Sequence, residues 1–177
     1  MKLADILIEL EGYTDPQTKK TLITHGAKEP LFGAKVGDLK KILKKTKKNH
    51  ELSLELYKTG NSDAMYLAAL MADETKITET DLNNWVENAY WLYLNEYAVP
   101  WVASETPFGF DLALQWIQAQ KEATVIAGWA TLSSHASITS DDQLDLKKYS
   151  ELLDFVEKNI HTAPNFVKRA MNSFVIT

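Results

Sequence analysis

The sequence predicts an all-α protein, folded as a curved solenoid of stacked helical pairs. Apolar residues recur three and four positions apart along nearly all of its 177 residues, the pattern of a helix with one buried face. Alternating apolar and polar runs bounded by turn residues, which would mark strands, are missing. Start and stop signals follow one another closely, so the helices are short and numerous.

The first helix is read over residues 2–11, where apolar residues and acids alternate at helical spacing. The second, 16–26, is announced by Asp15 and Pro16: a side chain that accepts from unpaired N–H groups, then a residue with no N–H to satisfy. A basic helix over 36–48 is expected to bury Val36, Leu39, Ile42 and Leu43. Helices over 50–58 and 62–72 are divided by Gly60 and Asn61, a stop and then a start. Thr78 and Asp81 make a capping box for 79–87. The ring-rich stretch "AYWLYLNEYAVPW" lies on a helix over 88–103. Thr106 and Pro107 repeat the first device before 107–119. Helices over 121–135, 144–159 and from 164 onward follow, with Asp141, Asp142 and Asp145 placed where a helix dipole favours acids.

Each of these short helices has an apolar stripe that must meet a neighbour, which one bundle axis cannot arrange for so many; stacked pairs can. No fixed period is strong, so the repeats are degenerate, and the expected architecture is one HEAT-like array over residues 1–177. The last helix, "NFVKRAMNSFVIT", ends on Phe174, Val175 and Ile176 with no polar capping repeat. This suggests an array truncated at its C-terminal end.

Composition narrows the chemistry. The absence of cysteine excludes disulfides, zinc ribbons and thiol nucleophiles together. His25, His50, His135 and His161 do not share a chelating spacing, so no metal or cofactor is expected, and the four are read as helix-end or surface residues. No Gly-rich phosphate loop or nucleophile elbow is present. The N-terminus lacks the layout of a signal peptide and nothing reaches membrane-spanning length, so a cytoplasmic protein is expected.

The net charge of −5 conceals an asymmetry, because residues 1–60 carry 12 Lys against 8 acids. Lys35, Lys40, Lys41, Lys44, Lys45, Lys47 and Lys48 crowd into "KVGDLKKILKKTKK", with Asp38 the one acid among them. No glutamates stand one turn before these lysines to pair with them, so the basic face reads as a phosphate-binding surface. On a uniform helix over 88–103, Tyr90, Leu94, Tyr97 and Trp101 share one stripe and Trp91, Asn95, Ala98 and Val102 the next. One stripe can be core while the other faces a cleft.

From His25 to the end, "HGAKEPLFGAKVGDLKKILKKTKKNHELSLELYKTGNSDAMYLAALMAD", "WVENAYW", "TPFGFDLALQW" and "NFVKRAMN" occur in order. This series resembles the DNA alkylation repair (AlkD-type) family of HEAT-like-repeat proteins. The resemblance implies a positive concave face that holds double-stranded DNA and, in active members, a metal-free glycosylase that removes N3- or N7-alkylated purines. Active members carry a Trp followed four positions later by an Asp, and an Arg on a later helix. Here the pair reads Trp91 and Asn95, the Arg position falls at about Ile126, and the one arginine, Arg169, is elsewhere. With this resemblance Tyr90, Leu94, Tyr97 and Trp101 are expected to pack between layers of the array, and Trp91 to face the cleft.

The expected function is therefore DNA binding with an altered catalytic set, in which alkylpurine excision is weak, altered or absent. Lys35, Lys40, Lys41, Lys44, Lys45, Lys168 and Arg169 are the expected phosphate contacts, and Trp91, Asn95 and Glu96 the expected remnant of the catalytic site. A second reading keeps excision and gives the carboxylate role to Glu96 or Glu87. A third is a protein-binding helical scaffold, which the acidic residues beyond position 60 would suit.

Overall fold

The computed structural model describes residues 1–177 and contains eleven α-helices, one π-helical segment and no strand. The chain divides into two compact units, Met1–Leu94 and Asn95–Thr177.

The first unit holds α1 (Leu3–Gly12), α2 (Pro16–Thr24), α3 (Val36–Thr46), α4 (His50–Lys58), α5 (Ser62–Met71) and α6 (Glu79–Asn88). Helix α5 is its centre, because Ala64, Met65, Leu67, Ala68 and Met71 bury it on nearly all sides. Its small alanines let α3 and α4 pack directly on it, and α1 lies against all three. Ile6 and Leu10, one turn apart on α1, are both fully buried. The start signals work as the sequence indicates. Asp15 accepts from the Thr18 N–H at 2.7 Å, Asn61 accepts from Asp63 and Ala64, and Thr78 and Asp81 exchange bonds as a capping box. Gly60 takes the left-handed conformation, φ +69°, that a chain reversal between α4 and α5 requires.

The second unit holds α7 (Val99–Ser104), α8 (Gly109–Trp116), α9 (Glu122–Ile138), α10 (Leu146–Asn159) and α11 (Asn165–Ile176). Helix α9 is central here and packs on α7, α8 and α11. Gly128 permits the approach of α8, since a Cβ there would lie 2.8 Å from Ile117. Trp129 is fully buried and its ring meets Phe155 and Phe174 at 5.9 and 5.1 Å. Asp145 caps α10 by accepting from the Lys148 N–H.

Three local expectations need correction. Thr106 does not cap α8; its hydroxyl donates to the Ala103 carbonyl, and the helix starts at Gly109. Val36 is 36% exposed rather than part of the α3 stripe, which consists of Leu39 and Ile42. His135, read as a helix-end residue, does lie in the last turn of α9, half-buried and 3.0 Å from the Tyr149 hydroxyl. The single helix over 88–103 is broken, as follows.

Candidate nucleic-acid interface

Helical geometry begins only at Leu92, and Tyr93–Ala98 winds as a π-helix before α7. The cause lies at Pro100, which has no N–H for the Glu96 carbonyl and whose ring crowds it. The wider turn admits the extra residue. A uniform wheel therefore fails here, and with it the assignment of the rings. Leu94 is fully buried, but Tyr97 and Trp101 are 40% and 39% exposed, a tilted pair with centroids 5.6 Å apart. Tyr90 is half-buried and donates to the Lys28 carbonyl. Trp91 precedes the helix, is buried, and stacks on Tyr93 at 4.6 Å.

Trp91 belongs to the first unit, whereas Asn95 and Glu96 belong to the second. In the first unit Trp91 and Tyr93 line a cleft of about 200 Å³ together with Lys35, Val36, Asp63 and Tyr66. The indole Nε1 is buried without a hydrogen-bond partner. Asp63 is buried on α5 and accepts from three successive backbone N–H groups, Phe32, Gly33 and Ala34, at 2.6, 3.0 and 3.1 Å. That carboxylate fixes the segment entering α3. Burial raises its pKa, against the lowering effect of the three donors. Gly33, at φ +80°, passes so close to α2 that a Cβ would sit 2.6 Å from the Lys19 backbone. The sequence reading missed Asp63, whose only signal is an acid in the first turn of an otherwise largely apolar helix.

In the second unit Asn95 is 5% exposed and its Oδ1 has no partner. Glu96 is ion-paired to Arg169, whose guanidinium also lies over the Phe166 ring at 5.3 Å. Lys168 is half-buried on α11. Ile126 is buried in the apolar cluster around Trp129. Glu87 is exposed on α6 of the first unit.

All seven lysines of the basic segment are exposed. Four of them are paired, and mostly by acids distant in sequence: Lys35 with Asp15 at 2.9 Å, Lys45 with Glu9 at 2.7 Å, and Lys48 with Glu74. Lys41 pairs with Asp38 within α3 and lies 5.4 Å over the Tyr13 ring. The lysines expected to lack acidic partners thus find them across the fold, a pairing that helix spacing alone cannot reveal. Lys40, Lys44 and Lys47 project from α3 and its end without ion pairs. No helix is long and apolar enough to cross a membrane.

Comparison with known proteins follows the same lines. An uncharacterized protein of Listeria innocua is 30% identical over 175 residues, covering 96% of this chain and 75% of its own length. One from Listeria monocytogenes is 31% identical over the same shares. A solved structure superposes with a TM-score of 0.94 at 38% identity, covering 99% of this chain and 74% of the other. It is described as representing a new family of proteins related to the HEAT-like repeat DNA glycosylases, with affinity for branched DNA structures. The helical fold is thus a HEAT-like repeat fold. The family described as DNA alkylation repair enzyme matches residues 6–177, and the chain belongs to that family.

Proposed function

We propose that this protein binds DNA, with branched structures as its preferred ligand, and that its excision of alkylated purines is weak, altered or absent. The observation that carries the reading is Asn95, a buried amide where the resemblance to active members implies a carboxylate. Departure of an alkylated purine leaves a cationic sugar, and an anion fixed beside it in a water-poor site is worth several kcal/mol to the transition state. An amide keeps the shape without the charge. Glu96 carries a charge, but Arg169 neutralises it. The cation of the active set is not supplied either, since Ile126, near which the resemblance places the Arg, is apolar and buried.

Binding falls to the lysines. Lys40 and Lys44 are the strongest phosphate contacts because no acid competes for them. Lys35, Lys41 and Lys45 can exchange partners, because exposed ion pairs contribute only about 0–1 kcal/mol. Lys168 is retained as a contact, whereas Arg169 would first have to leave Glu96. The preference for branches is carried over from the 38%-identical structure, whose protein has that affinity.

The test sets binding beside excision on the same samples. Retardation of duplex, forked and four-way DNA is recorded at low salt, and released base is measured from methylated duplex. Tighter binding of the branched forms with no released base supports the proposal. Base release that disappears on Glu96→Gln or Glu87→Gln would establish the alternative, an active glycosylase with a relocated acid.

A further inference from the structure

We infer that a depression on the second unit, beside Tyr97 and Trp101, receives a single unstacked nucleobase of the kind that a branch point exposes. The inference rests on the DNA-binding reading above and gives it a receptor. The depression encloses about 200 Å³, with Tyr97 and Trp101 on one side and Ala130, Ser133 and Ser134 of α9 on another. Ala170 and Ser173 of α11 complete it, and Glu96 stands at its edge.

Three observations identify the occupant. The first is the exposure of two large rings that helical periodicity would have kept in line with the buried Leu94. The π-helical turn before Pro100 rotates them outward; such turns commonly serve functional sites. Flat exposed rings of this kind stack on any base, because every base has a π-face. The second is the floor. Its side chains are small, which leaves room for a planar group, and the Ser133 hydroxyl is buried without a hydrogen-bond partner, a cost that a ligand would relieve. The third is the charge at the edge. Arg169 engages Oε1 of Glu96, which offsets the carboxylate toward an anionic ligand and leaves Oε2 to accept a hydrogen bond. An exocyclic amine is the donor that a base offers, as on cytosine or adenine. A phosphate alone would use neither the rings nor this acceptor.

The test uses the full chain and a fork carrying 2-aminopurine as the unpaired base at the junction, with a fully paired duplex carrying the same probe as control. Addition of protein is expected to change the fluorescence of the unpaired probe and not of the paired one. Trp101→Ala should weaken fork binding about tenfold or more, as loss of one stacked base predicts, while duplex affinity stays within twofold. Tyr97→Ala should act in the same sense. Both rings are exposed, so circular dichroism should show the parent fold. Replacing the unpaired base by an abasic site should cost the parent the same factor and the Trp101→Ala variant nothing further. The control pair Lys40→Ala and Lys44→Ala should weaken fork and duplex alike.

Equal fork binding by parent and Trp101→Ala, or an unpaired probe that ignores the protein, overturns the inference while leaving DNA binding intact. A parent that binds neither fork nor duplex removes both readings, and capture of a peptide by the same rings would then account for them.

Discussion

At the scale of single residues, Asp63 shows how one buried acid can determine the path of a loop. Three consecutive backbone N–H groups converge on it, and leaving a buried donor unpaired costs about 1–3 kcal/mol. Asp63→Ala should therefore destabilise the protein by roughly 3 kcal/mol or more, read as a lower urea midpoint. Proteolysis between residues 26 and 35 should quicken in step. Asp63 and Asp15 also respond to acid in opposite ways. Burial raises the folded pKa of Asp63 above its ordinary 3.8. Its linked stabilisation is therefore complete below that ordinary value and is lost as pH rises through the folded one. Asp15 is lowered to about 2, first by the Thr18 backbone N–H and then by Lys35. Its contribution is present above about 3.8 and is lost as pH falls toward 2. Asp15→Asn should consequently flatten the acid limb of the stability profile between pH of about 4 and 2, as followed by thermal melts. An unchanged limb would mean that Asp15 is not linked to folding.

At the scale of elements, the turn between α7 and α8 is set by a contact that the sequence does not display. A Cβ on Gly109 would fall 1.8 Å from the Ala103 carbonyl oxygen, which is backbone and cannot swing away. Gly109→Ala should force the two helices apart and cost about 1–3 kcal/mol or more, measured as a lower melting temperature. A variant as stable as the parent would show that the helices separate freely. The same contact explains why Thr106 and Pro107 were misread as a start signal: the residues that fit the pattern stand in a turn whose geometry Gly109 controls. Helix existence was legible because apolar spacing is a local property, and Asp15, Asn61 and Thr78 act on N–H groups two or three residues away. The orientation of the aromatic stretch was not legible. Pro100 was visible, but whether a chain meets it with a kink, a stop or a π turn depends on the packing around it, and α7, which carries Pro100, packs on α9, which begins only at Glu122. Trp91 and Asn95 were legible as residues of interest through family resemblance, whereas the Glu96 to Arg169 pair joins positions 73 apart and could only be seen in the fold.

At the scale of the whole molecule, a protein with net charge −5 has no general attraction for a polyanion, so DNA affinity must come from where its cations stand. The first unit carries 13 Lys against 14 acids and is close to neutral, yet Lys40 and Lys44, which have no ion pair, stand one turn apart on α3. Local concentration rather than total charge then sets the salt response, with log affinity falling by about 0.9 per phosphate contact for each unit of log salt. Lys40→Ala and Lys44→Ala should each weaken duplex binding and reduce that slope by about 0.9. Glu9→Gln tests the same argument in the opposite direction. Glu9 holds Lys45 at 2.7 Å, and an amide would release the ammonium to the solvent face. If the α3 lysines contact phosphate, this removal of an acid in α1 should raise affinity and steepen the slope, because Lys45 no longer has to leave a partner. A slope that remains unchanged in all three variants would move the DNA contact off α3 altogether. Affinity that falls in Glu9→Gln would show instead that the ion pair holds Lys45 in its binding position, and that the pairing across the fold is part of the interface.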